Sequence, residues 1–186
     1  MKTTIRTLTL ALALFVAGGA LAQISNGDFE AGIIDWAPSA PADWAIGVVF
    51  GGGNPGAYGH IQSPWGDSAG MGCFEQDFQC GEEDPTGESH CLITLDYFIH
   101  SLDAAPGTGR VIVSIDGIPM FISSGDWIDW TTITLSIPCG FHRISLCLEV
   151  DPQNNGWEAG FDNVNAECDE STATDAINWS TIKSLY

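Results

Sequence analysis

Three stretches of this chain exchange apolar for polar side chains at nearly every step. Residues 110–116 (RVIVSID) set Val111, Val113 and Ile115 against Ile112 and Ser114. Residues 131–137 (TTITLSI) place Ile133, Leu135 and Ile137 on one side, and residues 143–150 (RISLCLEV) do the same with Ile144, Leu146, Leu148 and Val150. A repeat of two belongs to an extended strand, whose successive side chains leave opposite faces of a sheet. Each stretch is therefore expected to be a strand with one face in a core. Residues 91–100 (CLITLDYFIH) add a fourth strand, rich in the β-branched and aromatic types that suit a pleated surface. Asp116-Gly117, between RVIVSI and IPMFI, reads as a tight hairpin turn.

Turn-forming segments separate these runs. Residues 51–56 (GGGNPG) read as a flexible loop, residues 81–89 (GEEDPTGES) as an acidic loop and residues 104–109 (AAPGTG) as a turn. No internal repeat is visible. Short strands with frequent turns predict an all-β chain, a two-sheet antiparallel β-sandwich occupying residues 23–168.

The two ends read differently. Lys2 and Arg6 precede an apolar stretch over residues 8–17, and Ala20-Leu21-Ala22 follows as a small-x-small cleavage site. Residues 1–22 are thus expected to be a signal peptide, which makes the protein secreted and extracellular, and the apolar run is too short for a comfortable membrane span. Residues 169–186 lose the strand pattern and form a tail, in which Trp179, Ile182 and Tyr186 stand three and four apart, as on one or two helical turns. Asn178-Trp179-Ser180 matches a glycosylation acceptor.

Charge and cysteines narrow the function classes. The chain carries a formal charge of −19, and loss of residues 1–22 would take away two of its five cations and no acid. Such a surface repels nucleic acid and anionic membranes. Six cysteines, an even count in an exported chain, argue for disulfides, and the absence of CxxC removes zinc-ribbon spacing. Cys80 and Cys91 bracket the acidic loop and are expected to pair, which stabilises by roughly 2–3 kcal/mol on loop entropy.

Two segments carry a family resemblance. Near the start stands Asn26-Gly27-Asp28-Phe29-Glu30, followed by Gly32 and Trp36; near the end stands Trp157-Glu158-Ala159-Gly160-Phe161-Asp162-Asn163-Val164. Together, with GMGCFEQDFQC, CLITLDYF, RVIVSIDG and the Trp127/Trp130 segment between them in order, they resemble the galactose-binding-like jelly rolls, above all the carbohydrate-binding modules of the family 4/9 type. The resemblance covers residues 24–168. It implies a jelly roll, a carbohydrate (poly- or oligosaccharide) ligand, and a structural calcium where the first and last strands meet. Carried onto this sequence, it implies Glu30 and Asp162 as metal ligands, with Asp28 and a carbonyl from residues 51–53 beside them. Calcium takes about six to eight oxygens from carboxylates and carbonyls.

Sugars present flat patches of C–H groups edged with hydroxyls, and an aromatic ring meets them with a rigid apolar face that loses little entropy. Trp36, behind the opening motif, is expected in the core, and Trp130 in the core or half-buried. Trp44, Tyr58, Trp65, Trp127 and Trp157 lie in or beside loops and are the candidate ligand-binding rings, with Asp126 the nearest polar helper; Asp129, Gln62 and Asn155 are others. His60, His90, His100 and His142 are scattered, with no two at metal-ligand spacing. No GxSxG elbow, HExxH helix or phosphate loop occurs, so the reading is a non-catalytic module. An extracellular adhesive scaffold, binding protein partners or itself, is the alternative. A small hydrolase would need convergent carboxylates in a cleft.

Overall fold

The computed structural model describes residues 23–65, 69–83, 89–102, 108–151 and 156–168. The expected signal peptide and tail, Asn155, and most of the acidic loop and of the 104–109 turn lie outside the described residues.

Among the described residues ten strands are formed: β1 (Ala37–Ser39), β2 (Ala45–Gly53), β3 (Gly56–Gln62), β4 (Gly70–Cys80), β5 (His90–Ser101), β6 (Gly109–Ile115), β7 (Ile118–Ser124), β8 (Trp127–Pro138), β9 (Gly140–Val150) and β10 (Trp157–Cys168). They make two five-stranded sheets, sheet I in the order β1-β4-β9-β6-β7 and sheet II in the order β2-β3-β10-β5-β8. Every pairing is antiparallel. The expected β-sandwich is the observed architecture.

Alternation decides which side of each strand enters the core. Val111, Val113 and Ile115 of β6 are buried, as are Ile144, Leu146, Leu148 and Val150 of β9, and they face Ile61 of β3, Ile93, Leu95 and Ile99 of β5 and Phe161 of β10 across the sandwich. Asp116 and Gly117 turn the β6–β7 hairpin with φ of 53° and 77°, as their sequence requires.

One expectation is corrected. The glycine-rich 51–56 segment is not a loop: β2 runs to Gly53 and β3 starts at Gly56. Gly51, Gly52 and Gly56 take φ of 95°, 91° and 100°, a region open to glycine, so the ribbon bends through a register shift between Phe50 and Gly53 without breaking.

The opening and closing motifs lie side by side. Val164 N–H donates to the Gly27 carbonyl at 2.9 Å. Phe29 enters the core, stacks on Trp36 at 5.2 Å and tilts against Phe74 at 5.4 Å. Trp36 is a core residue, as expected. Cys80 pairs with Cys91, also as expected, and Cys73 pairs with Cys147 across β4 and β9.

Candidate functional site

The outward side of sheet II follows from the same alternation. On β3 the core takes Ala57, Gly59 and Ile61, which turns Tyr58, His60 and Gln62 outward. On β5 the core takes Leu95, Tyr97 and Ile99, which turns Asp96, Phe98 and His100 outward. Between them β10 presents Glu158, Gly160 and Asp162, in register with Gln62 and His60 on one side and with His100, Phe98 and Asp96 on the other. Trp127 of β8 stands opposite His100, and the register shift just beyond it brings Trp130 against Phe98.

The rings touch in a continuous cluster. Tyr58 meets His60, Phe98 and Trp130 edge-on at 5.8, 5.5 and 5.5 Å. Phe98 lies under Trp130 at 4.8 Å and is stacked with His100 at 4.6 Å. His100 is in turn stacked under Trp127 at 3.7 Å with the planes 10° apart. Gly160 makes the floor: a Cβ there would stand 2.1 Å from the Phe98 ring. Trp127 remains 63% exposed, so the indole face away from His100 is open to solvent.

Polar groups sit at the ring edges. Glu158 is shared by two imidazoles, with His60 Nε2 at 3.1 Å from one oxygen and His100 Nδ1 at 3.3 Å from the other. The His60 hydrogen bond above all, then that of His100, holds the Glu158 carboxyl below its ordinary range against its own burial. Burial, aided by Glu158, pushes the Tyr58 phenol up. Trp127 Nε1 donates to Asp129 Oδ1 at 3.0 Å, and Trp130 Nε1 donates to the Gly52 carbonyl at 3.2 Å.

Sequence reasoning placed the candidate rings unevenly. Trp127 and Tyr58 are on this face, although Tyr58 belongs to a strand and not to a loop. Trp65, beyond the end of β3, is 62% exposed, and Asp126, just before β8, is exposed. Trp44 and Trp157 are corrections: at 7% and 1% exposure both are core side chains, because the loop edges that carry them fold inward. His60, Phe98, His100, Trp130 and Glu158 were not put forward as ligand residues. The alternation of GAYGHIQ, small or apolar inward and Tyr58, His60, Gln62 outward, was the available signal.

A second cluster lies beside the β2–β3 turn. Asp162, wholly buried, accepts from Asn54 N–H at 2.6 Å and Asn163 N–H at 2.7 Å. Burial, helped by the neighbouring Asp96 and Asp28, pushes its carboxyl above the usual carboxylate range. Glu30 accepts from Ala57 N–H at 2.7 Å, and Asp28 accepts from Glu30 N–H at 3.2 Å. Asp96 stands directly opposite Asp162 in the ladder, a like-charge pairing that costs stability unless compensated. A Cβ on Gly53 would lie 2.6–2.8 Å from the Ala57 carbonyl, the Gly56 carbonyl and Asp162 Oδ2, and one on Gly56 would lie 1.8 Å from Glu30 Oε1. The glycines leave a cradle edged with oxygen. Among the described residues no three of these carboxylates bring oxygens within 4.8 Å of one another. The set fits a hard cation held by Glu30, Asp162 and main-chain carbonyls better than one held by carboxylates alone.

No protein-family model matches the chain, and no curated protein matches it. Solved structures are similar to it. One is TmCBM61 in complex with β-1,4-galactotriose, at 14% identity and a TM-score of 0.49 over 78% of this chain and 95% of that one. Another is the family 11 carbohydrate-binding module from Clostridium thermocellum in complex with a β-1,3-1,4-mixed-linked tetrasaccharide, at 14% identity and 0.42 over 80% and 95%. A third is the K3 cleaved adhesin domain of Lys-gingipain from Porphyromonas gingivalis, at 13% identity and 0.49 over 80% and 98%. The structures found similar to this chain include carbohydrate-binding modules and an adhesin domain.

Proposed function

We propose that this chain is a secreted, non-catalytic carbohydrate-binding module that holds a glycan on the outer face of sheet II, with a structural calcium at Glu30 and Asp162. The observation that carries the reading is the exposed indole of Trp127, laid flat on His100 at the rim of a five-strand face. A sugar ring stacks on the free indole face, and Glu158, Gln62 and His60 take its hydroxyls. Binding needs no proton transfer, and the rings are pre-packed, so little entropy is lost on association. When bound, calcium offsets the buried charge of Asp162 and ties the opening segment to β10. Asp28 orients Glu30 through its main-chain N–H.

A glycan array that includes β-1,4-galactan, xylan and mixed-linked β-glucan, run with and without chelator, tests both halves. Trp127→Ala is expected to weaken the best ligand about tenfold or more and to lower the melting temperature only slightly, through loss of the His100 stack, with the chain still folded. Undiminished binding by this variant sinks the proposed face. Chelation is expected to lower the melting temperature; an unchanged melt after verified metal removal counts against the Glu30/Asp162 site. The alternative, an extracellular adhesive scaffold, draws on the exposed Ile118, Met120 and Ile122 of edge strand β7, and a blank array with self-association supports it.

A further inference from the structure

His100 occupies an unusual place. Its ring is sandwiched between Phe98 at 4.6 Å and Trp127 at 3.7 Å. Its Nδ1 faces Glu158 at 3.3 Å. Its Nε2 is buried and, among the described residues, has no hydrogen-bond partner; the closest carboxylate oxygen is Asp129 Oδ1 at 3.7 Å. With Nδ1–H donating to Glu158, a neutral imidazole turns the Nε2 lone pair toward Asp129, an acceptor toward an acceptor, which is unfavourable in a buried place. A proton on Nε2 reverses this. It supplies a donor aimed at Asp129, which also receives the Trp127 indole N–H, and it sets a cation between two aromatic faces, an attractive arrangement.

We propose that His100 is the positioning residue of the Trp127 platform, and that its protonation strengthens the hold on the stacked indole, so that the glycan site binds more tightly on mild acidification. The proposal rests on the glycan reading for its ligand but not for the clamp itself. The charged and titratable groups around His100 are Glu158 on β10, His60 and Tyr58 on β3 beyond it, and Asp129 on β8. Arginine and lysine are absent from this set, so the proton on His100 meets carboxylates and rings alone. His60 touches the other oxygen of Glu158 and no part of the Trp127 stack, so it reaches the indole only through that shared carboxylate.

Two measurements on the intact protein decide the matter. The first follows the indole N–H resonance of Trp127, assigned by its loss in Trp127→Phe, from pH 5 to 8. It is expected to move with pH along a one-proton curve, to stop moving in His100→Asn and to move less in Asp129→Asn, a change at an exposed residue that leaves the fold intact. His60→Asn, which acts on the stack only through Glu158, is expected to shift the curve without removing it. A resonance indifferent to pH in the wild type, or one that titrates equally in His100→Asn and Asp129→Asn, overturns the clamp. The second compares affinity for the best glycan of the array at pH 5.5 and 7.5. Roughly two- to fivefold tighter binding at the lower pH is expected, falling to no difference in Asp129→Asn. Equal affinities overturn the regulation. A blank array at both pH values refutes the glycan reading and, with it, the claim that the clamp serves a sugar, while the resonance still decides the clamp.

Discussion

The outer faces of the two sheets are finished in opposite ways. On sheet I the charged outward side chains of β4, β6 and β9 are paired, while edge strand β7 leaves Ile118, Met120 and Ile122 exposed. Arg143 meets Asp77 at 2.6 Å, Arg110 meets Glu149 at 3.0 Å and Asp151 at 2.9 Å, Ser145 donates to Glu75 at 3.2 Å, and Cys73 is bonded to Cys147. Even the 530 Å³ cleft there, lined by Asp35, Glu75, Asp77 and Arg143 among others, has its carboxylates engaged: Asp77 by Arg143 and Asp35 by the Ser25 hydroxyl. On sheet II one half of the outward side, from Tyr58 to Trp127, is rings, histidines and carboxylates, and the other half carries Thr94, Thr132, Thr134 and Ser136, with no arginine or lysine among the described residues. Both faces answer their charges, sheet I with guanidinium groups and sheet II with imidazoles and an indole N–H, so the difference lies in the ring cluster. A face of packed rings with one indole side still open offers area at low entropic cost. The covalent and ionic ties are concentrated on sheet I, and the packed rings on sheet II.

The largest effect is expected from cutting the covalent tie of sheet I. Cys73 and Cys147 are 74 residues apart, so Cys73→Ser with Cys147→Ser is expected to cost about 4 kcal/mol through the unfolded chain. Urea denaturation measures it. Glycan affinity, taken well below the transition, should not change. A variant that stays folded but loses its ligand would show that the two faces are coupled, and the division of labour fails.

Gly160 offers the converse, a change confined to sheet II. An added methyl meets the Phe98 ring, which Tyr58, Trp130 and His100 hold from three sides. Gly160→Ala is expected to cost about 1–3 kcal/mol by overpacking, with a loss of affinity on top, because the displaced Phe98 unseats His100 and hence Trp127. Binding at wild-type strength would show that the cluster below Trp127 is mere packing.

These two sites differ in how legible they were. The buried sides of β6, β8 and β9 could be read residue by residue, because a period of two is local. So could the Asp116-Gly117 turn and the Cys80–Cys91 pair, whose members are 11 apart. The meeting of Gly27 with Val164 followed from a resemblance and was confirmed by one hydrogen bond. The His60–Glu158–His100 group was illegible for a topological reason. Its members are 98 and 58 residues from one another through Glu158, and they meet only because β10 inserts between β3 and β5, an order that adjacency in the chain does not suggest. Trp44 and Trp157 misled because position beside a loop says nothing of which way the ring turns. Gly53 and Gly56 looked like loop residues, yet their use is to leave room for the oxygens of Glu30 and Asp162.

The smallest expected effect separates the two carboxylates of sheet II by the sign of their response to pH. Glu158 is held below its ordinary value of 4.5 by His60 and His100. Its contribution to stability is therefore present above that value and is lost as pH falls through the lower, folded value. Asp162 is pushed above its ordinary 3.8, chiefly by burial. The folded chain favours its protonated form, so its contribution is greatest below 3.8 and is lost as pH climbs through the raised value. In chelator, thermal melts of Glu158→Gln and Asp162→Asn against the wild type should diverge with opposite slopes: the glutamine variant falls behind as pH rises from 3 to 7, and the asparagine variant gains. Calcium should abolish the gain of the second and leave the first untouched, because a cation in the cradle supplies Asp162 with a counter-charge, whereas Glu158 is held by hydrogen bonds from His60 and His100. Parallel slopes would mean that the two acids sit in equivalent settings, and the assignment of one to a ligand face and the other to a metal would have no physical basis.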